Sequence, residues 1–132
     1  MKKEFLVQTH LREEFVDITG KVQEAVRSMQ LEEGFCVVYA PHTTCGITIN
    51  ENADPDVVAD ILTGLKRVVP ENVPYAHLEG NSPAHIKASL MGSSALVLVE
   101  RGRLLLGSWQ GIFLAEFDGP RHRKVIVKGV SA

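Results

Sequence analysis

The chain has 132 residues, 45% of them hydrophobic and 23% charged, with a formal net charge of −2. That length suits one domain with a substantial core, so residues 1–132 are read as a single unit. Near-neutral charge gives no electrostatic case for nucleic-acid binding, and no run approaches the ~20 apolar residues of a membrane helix.

Taken in chain order, residues 3–9 and 14–18 read as short strands. Thr19 is placed to cap a helix, with Val22, Ala25, Val26 and Met29 on one face. The β-branched and aromatic content of 35–40 predicts a buried strand, which Pro41 breaks. From Cys45 the pattern has period two, with Ile47 and Ile49 sharing one face. Asp54-Pro55 is a strong helix start, because Asp caps and Pro fits the first turn without losing a donor. Val57, Val58, Ile61, Leu62, Leu65, Val68 and Val69 are expected to form its buried stripe, and Pro70 ends it. A polar loop follows over 71–82, and Ser82-Pro83 opens a shorter helix ending near Gly92. Strands are then predicted over 94–100, 103–106, 110–118 and 122–130, separated by Arg101-Gly102 and Asp118-Gly119-Pro120 turns. The expected fold is α+β, a largely antiparallel sheet or sandwich covered by two to three helices.

Three histidines each interrupt an apolar pattern: His42 in Pro41-His42-Thr43-Thr44, His77 in the polar loop, and His85 in the first turn of the Ser82 helix. Imidazole is the commonest metal ligand and the commonest acid or base near neutral pH. The positive end of a helix disfavours imidazolium, so His85 is expected to stay neutral. The spacings of 35 and 8 residues match no zinc-finger or His-Glu-x-x-His pattern. Residue types alone therefore favour hydrogen-bonded loop histidines over a metal site.

Other candidates stand beside them. Glu51 and Glu79 are placed to orient an imidazole or act as a base. Trp109-Gln110, between glycines, reads as core or as a pocket wall. Glu116 breaks an apolar strand, and burial there would require a partner. Lys87 is expected to reach an anion bound at the Ser82 helix start. The cluster Arg121-His122-Arg123-Lys124 reads first as a solvated face and second as a phosphate contact. Cys36 reads as a small buried hydrophobe and Cys45 as a structural thiol. Met1-Lys2-Lys3-Glu4-Phe5 lacks the apolar stretch of a signal peptide, so a reducing cytoplasm is the expected compartment. No P-loop, Gly-x-Gly-x-x-Gly or Gly-x-Ser-x-Gly occurs, which disfavours P-loop nucleotide hydrolysis and ordinary serine hydrolysis.

Five ordered strings, Pro41-His42-Thr43-Thr44, 49–55, 84–90, 106–111 and 116–121, resemble the YjbQ-like family, also called the secondary thiamine-phosphate synthase family. The resemblance implies a homotrimeric α+β protein in which His42, His77 and His85 converge around a divalent metal near a subunit boundary. Asn50, Glu51, Trp109, Gln110 and Glu116 carry over as pocket or support residues. Two departures stand out: only Asn81-Ser82-Pro83 separates Glu79-Gly80 from Ala84-His85, and Cys45 follows Thr44 where relatives have Ser or Ala. Three histidines suit Zn²⁺ better than Mg²⁺. The implied function is a metal-dependent, transferase-type enzyme with thiamine-phosphate synthase activity. The alternatives are a non-catalytic module that holds a phosphorylated small molecule or anion, and a structural trimer. No nucleic-acid or membrane partner is expected.

Overall fold

A computed structural model covers Met1–Ala132 and places eight strands and three helices in the order β1 (Lys2–Gln8), β2 (Glu14–Asp17), α1 (Thr19–Ser28), β3 (Glu33–Tyr39), β4 (Cys45–Glu51), α2 (Pro55–Val68), α3 (Ser82–Met91), β5 (Ser94–Glu100), β6 (Arg103–Leu104), β7 (Gln110–Glu116) and β8 (His122–Ser131). All strand pairs are antiparallel, in a five-stranded sheet ordered β1-β8-β3-β5-β6 and a three-stranded sheet ordered β2-β7-β4. The α+β expectation holds. No helix is long and apolar enough to cross a membrane.

Alternation in the strands decides which side chains enter the core. Cys36 and Val38 of β3, Val97 and Val99 of β5, and Val125 and Val127 of β8 point inward, while Tyr39, Leu96 and Leu98 point out. Ile47, Ile112 and Leu114 of the smaller sheet and Val22, Ala25 and Val26 of α1 complete the same cluster. Each such Val, Ile or Leu side chain contributes roughly 1.5–3 kcal/mol when fully buried. Strand β7 is buried on both faces: Ala115 and, just past its end, Phe117 form a second cluster with Ala84 and Ala88 of α3. Phe15 stacks edge-on against Phe117, with ring centroids 6.4 Å apart.

This packing sets α3 hard against β4. A Cβ on Gly46 would lie 2.6 Å from the Gly92 carbonyl oxygen and 2.9 Å from Met91 Cβ. The Gly92 carbonyl accepts from Ile47 N–H at 3.0 Å, and the Ser93 carbonyl accepts from Ala40 N–H at 2.9 Å. The loop that carries His42 is thus pinned to the end of the helix that carries His85.

Two expectations are corrected. Thr19 does not cap α1: Ile18 holds that position without a side-chain bond, and Thr19 Oγ1 instead donates to Asp17 and accepts from Ile112 N–H. Asp17 and β7 offer Thr19 stronger partners than the helix end does. Asp54 does cap α2, accepting from Asp56 N–H at 2.9 Å. The stripe on α2 is not buried, however: no residue of that helix is, and Val68 is 70% exposed. Only Leu62 and Leu65 rest against the Phe117 cluster, and Val69, past the helix end, is the one buried member. An amphipathic pattern records an apolar face without fixing what covers it.

Gly46→Ala should lower stability by about 1–3 kcal/mol, because the added methyl meets backbone. Gly64→Ala in α2, where a Cβ meets nothing within 4 Å, should raise it by about 0.5–1 kcal/mol. Urea denaturation of both variants checks the opposite signs.

Candidate functional site

The base of the site is an ion pair inside the protein. Alternation along β8 turns Arg123 inward, 4% exposed, to meet Glu116 of β7, which is fully buried. Arg123 Nε donates to Glu116 Oε1 at 2.8 Å, and Nη2 donates both to Glu116 Oε2 and to Thr44 Oγ1. Thr9 Oγ1 donates to Glu116 Oε1 at 2.8 Å and Asp118 N–H to Oε2 at 3.0 Å. Burial alone would push the Glu116 carboxyl up. Hydrogen bonds from Arg123, Asp118 N–H and Thr9 outweigh it and hold the group below the ordinary carboxylate value.

Above this pair opens a polar cleft of about 420 Å³ lined by His42, His77 and His85 together with Glu79, Arg121 and Arg123, among others. His42 is half-buried, and its Nε2 accepts from Lys124 N–H at 2.8 Å. An imidazole nitrogen that accepts carries no proton, so this bond assigns the neutral ring's proton to Nδ1. Burial and the neighbouring Arg123 guanidinium push the His42 pKa below its usual value, which keeps the ring neutral. The rings of His77 and His85 meet edge to face, with centroids 5.4 Å apart. Glu79 Oε2 lies 3.9 Å from His77 Nε2.

Asp118 organises the rim. Arg121 donates through Nε to the Asp118 carbonyl at 2.8 Å and through Nη2 to its carboxylate at 3.0 Å, while Asn81 Nδ2 donates to the same carboxylate at 2.9 Å. Both arginines are therefore anchored through Nε and Nη2, and neither Nη1 is bonded within the protein.

A second cavity of about 500 Å³ adjoins the cleft and shares His42, Thr43 and His85, but its remaining lining is Cys45, Ala88, Ser89, Gly92 and Ser93. The Cys45 thiol is 1% exposed, and burial pushes its pKa up to about 11. It is an inert structural thiol at neutral pH, as expected.

The three histidines, Glu79, Arg121 and Arg123 of the sequence-based set share the cleft, with Glu116 paired to Arg123 at its base; Lys87, Asn50, Glu51, Trp109 and Gln110 lie elsewhere. Lys87 is 1% exposed, with Nζ 2.6 Å from Glu13 and 3.7 Å from Glu71. Two residues beyond His85, it points from the opposite side of the helix, so it ties α3 to the chain before β2 rather than contacting an anion. Asn50, Glu51, Trp109 and Gln110 sit at the far end of β4 and β7. Glu51 pairs with Gln110, while Cys45, near the histidines, pairs with Glu116. Six residues of strand separate the two ends by roughly 20 Å. Asn81, Asp118 and Thr44 were not singled out from the sequence. Their turn-forming residue types carried the only signal, and it read as structure.

No group of three or more His, Cys, Asp or Glu side chains is arranged to hold a metal ion. His42 cannot join such a set through Nε2 while that lone pair accepts from Lys124. The donors left for a cation are His77, His85 and Glu79.

Removing either partner of the buried ion pair should cost about 3–5 kcal/mol, while replacing both with apolar residues should recover much of it. Urea titrations of Glu116→Leu, Arg123→Met and the double variant measure this. Because Glu116 titrates lower in the folded chain than in the unfolded one, its contribution is complete above the ordinary carboxylate value of 4.5. It is lost as pH falls through the depressed one. The double variant should lose less stability than wild type across that acid range.

Residues 3–132 match the family model described as UPF0047 protein YjbQ-like. UPF0047 protein YugU of Bacillus subtilis is 48% identical over 129 residues, covering 97% of this chain and 98% of its own length. A crystal structure from Clostridium acetobutylicum, described as an uncharacterized conserved protein of the YjbQ/UPF0047 family, superimposes with a TM-score of 0.94 at 55% identity, covering 97% of this chain and 99% of its own. A hypothetical protein from Aeropyrum pernix gives the same TM-score at 35% identity, over 100% of this chain and 99% of its own. The chain belongs to the YjbQ-like, UPF0047 family.

Proposed function

We propose that the cleft binds a phosphorylated small molecule and carries out proton chemistry beside it. The observation that carries this reading is the pair of anchored guanidiniums, each with Nη1 free, lining the same cleft as the histidines. Fixed donors of this kind need no reorganisation when an anion arrives. His42, as a neutral Nδ1–H tautomer, adds a donor, and burial beside Arg123 favours its uncharged form. His77 and His85 supply acid or base character, with Glu79 placed to orient His77. Thiamine-phosphate synthase activity, which the resemblance implies, also uses phosphorylated small molecules and is the first to assay. A non-catalytic anion module would show the same binding without turnover.

The edge-to-face contact of His77 with His85 favours a second reading, in which these two rings and Glu79 hold a divalent ion, zinc before magnesium. Such an ion would supply Lewis-acid polarisation of a bound oxygen.

The uncovered apolar surface supports assembly into a homotrimer. Tyr39, Leu96, Leu98 and Val130 on the outer face of the large sheet are exposed, as is Val68 of α2, and monomers rarely leave contiguous apolar patches in water. The two free cysteines fit a reducing cytoplasm.

Titration with inorganic phosphate, followed by calorimetry, should show roughly tenfold weaker binding in Arg121→Ala than in wild type, the loss of about one charge-assisted contact. Equal affinities would contradict the anion reading. Elemental analysis of wild type and His85→Ala tests the metal: zinc present in the first and lost in the second supports it.

A further inference from the structure

The charged cleft and the adjoining cavity meet at His42, Thr43 and His85, yet their walls differ in kind. One side presents Arg121, Arg123, Asp118 and Glu79. The other holds no Asp, Glu, Lys or Arg at all; beyond the shared residues, only small or uncharged side chains line it. We propose that this second lobe is a subsite for the uncharged body of the ligand. The ligand is then a phosphate ester of a polar, uncharged alcohol. Its phosphate lies toward the arginines, its body lies over Ser89, Gly92 and Ser93, and the ester linkage crosses the waist between His42 and His85. This rests on the phosphate-binding reading above and adds what the phosphate is attached to.

Three features make the lobe a receptor for such a body. Its floor is built of small residues, Ala88, Cys45 and Gly92, which is why about 500 Å³ stays open. A Cβ at Gly92 would meet nothing within 4 Å, so the space lies directly over its backbone, and the φ of +86° there favours glycine. The walls offer hydroxyls in defined states. Ser89 Oγ donates to the His85 carbonyl at 2.9 Å, leaving its oxygen free to accept, and Ser93 Oγ makes no bond within the protein. A hydroxylated or heterocyclic body satisfies these groups, whereas a second anion would find no cation there. The position of His42 and His85 between the lobes places their imidazoles beside the linkage rather than beside either end.

Two probes separate this proposal from the reading beneath it: inorganic phosphate, which fills only the charged cleft, and ribose 5-phosphate, which carries an uncharged hydroxylated body. Wild type should bind ribose 5-phosphate at least tenfold more tightly than inorganic phosphate. Ser89→Phe, a change on an exposed helix position that fills the lobe, should abolish that preference while leaving phosphate affinity within twofold. Ser93→Phe should do the same from beyond the helix end, with circular dichroism confirming the fold of each. Loss of affinity for both probes alike, or for neither, overturns the subsite. So does an altered sedimentation coefficient with both affinities intact, which would make the lobe an interface. If wild type binds neither probe, the phosphate reading itself falls.

Discussion

The bidentate pair between Glu116 and Arg123 is the constraint around which the rest of the site is arranged. A carboxylate with no exposed surface survives only because donors from three other parts of the chain converge on it: Arg123 on β8, Thr9 after β1, and Asp118 in the turn between β7 and β8. Through Thr44 the same guanidinium reaches the loop between β3 and β4. Both sheets and the His42 loop therefore meet at one pair of charges. Such an arrangement adds little net stability compared with an apolar core of the same shape; its hydrogen bonds tie β7, β8, the residue after β1 and the His42 loop to one another.

The cleft inherits its chemistry from that arrangement. Tyr39 of β3 lies opposite Ile126 of β8; two places further the register would set Pro41 against Lys124, and Pro41 follows the end of the strand. Lys124 N–H is left at the sheet margin, and the His42 ring takes it as a partner. A backbone donor moves little, so the tautomer of His42 is fixed by the sheet itself. Next along β8 in one direction is buried Arg123, which disfavours charge on the ring. A strand end, a proline and an inward-facing arginine thus convert a loop histidine into a neutral donor facing the cleft.

Much of this was legible in the residues. The β-branched alternation located the strands to within a few residues, Asp54-Pro55 marked a helix start, and Glu116 in an apolar strand announced a buried charge in need of a partner. Its partner was not legible, because the residues alone do not say which of Arg123 and Lys124 faces inward on β8, nor that Arg121 stays in the turn before it. Lys87 was misplaced for a related reason: sequence distance from the helix start ignored its angular position relative to His85. Asn50, Glu51, Trp109 and Gln110 share motif strings with the family, yet strand length carries them to the other end of the small sheet. The α2 stripe was read correctly as apolar and wrongly as buried, since periodicity reports a face and not its covering.

The chemistry of the cleft depends on His42 being held neutral with its proton on Nδ1. Long-range ¹H–¹⁵N correlation spectra of the histidine side chains across pH 5 to 8 (the range in which imidazole titrates) report this directly. The expected result is a His42 ring with protonated Nδ1 and bare Nε2 at neutral pH, titrating below the ordinary imidazole value. A His42 protonated on Nε2, or one that becomes cationic at or above the ordinary imidazole value, would contradict the account.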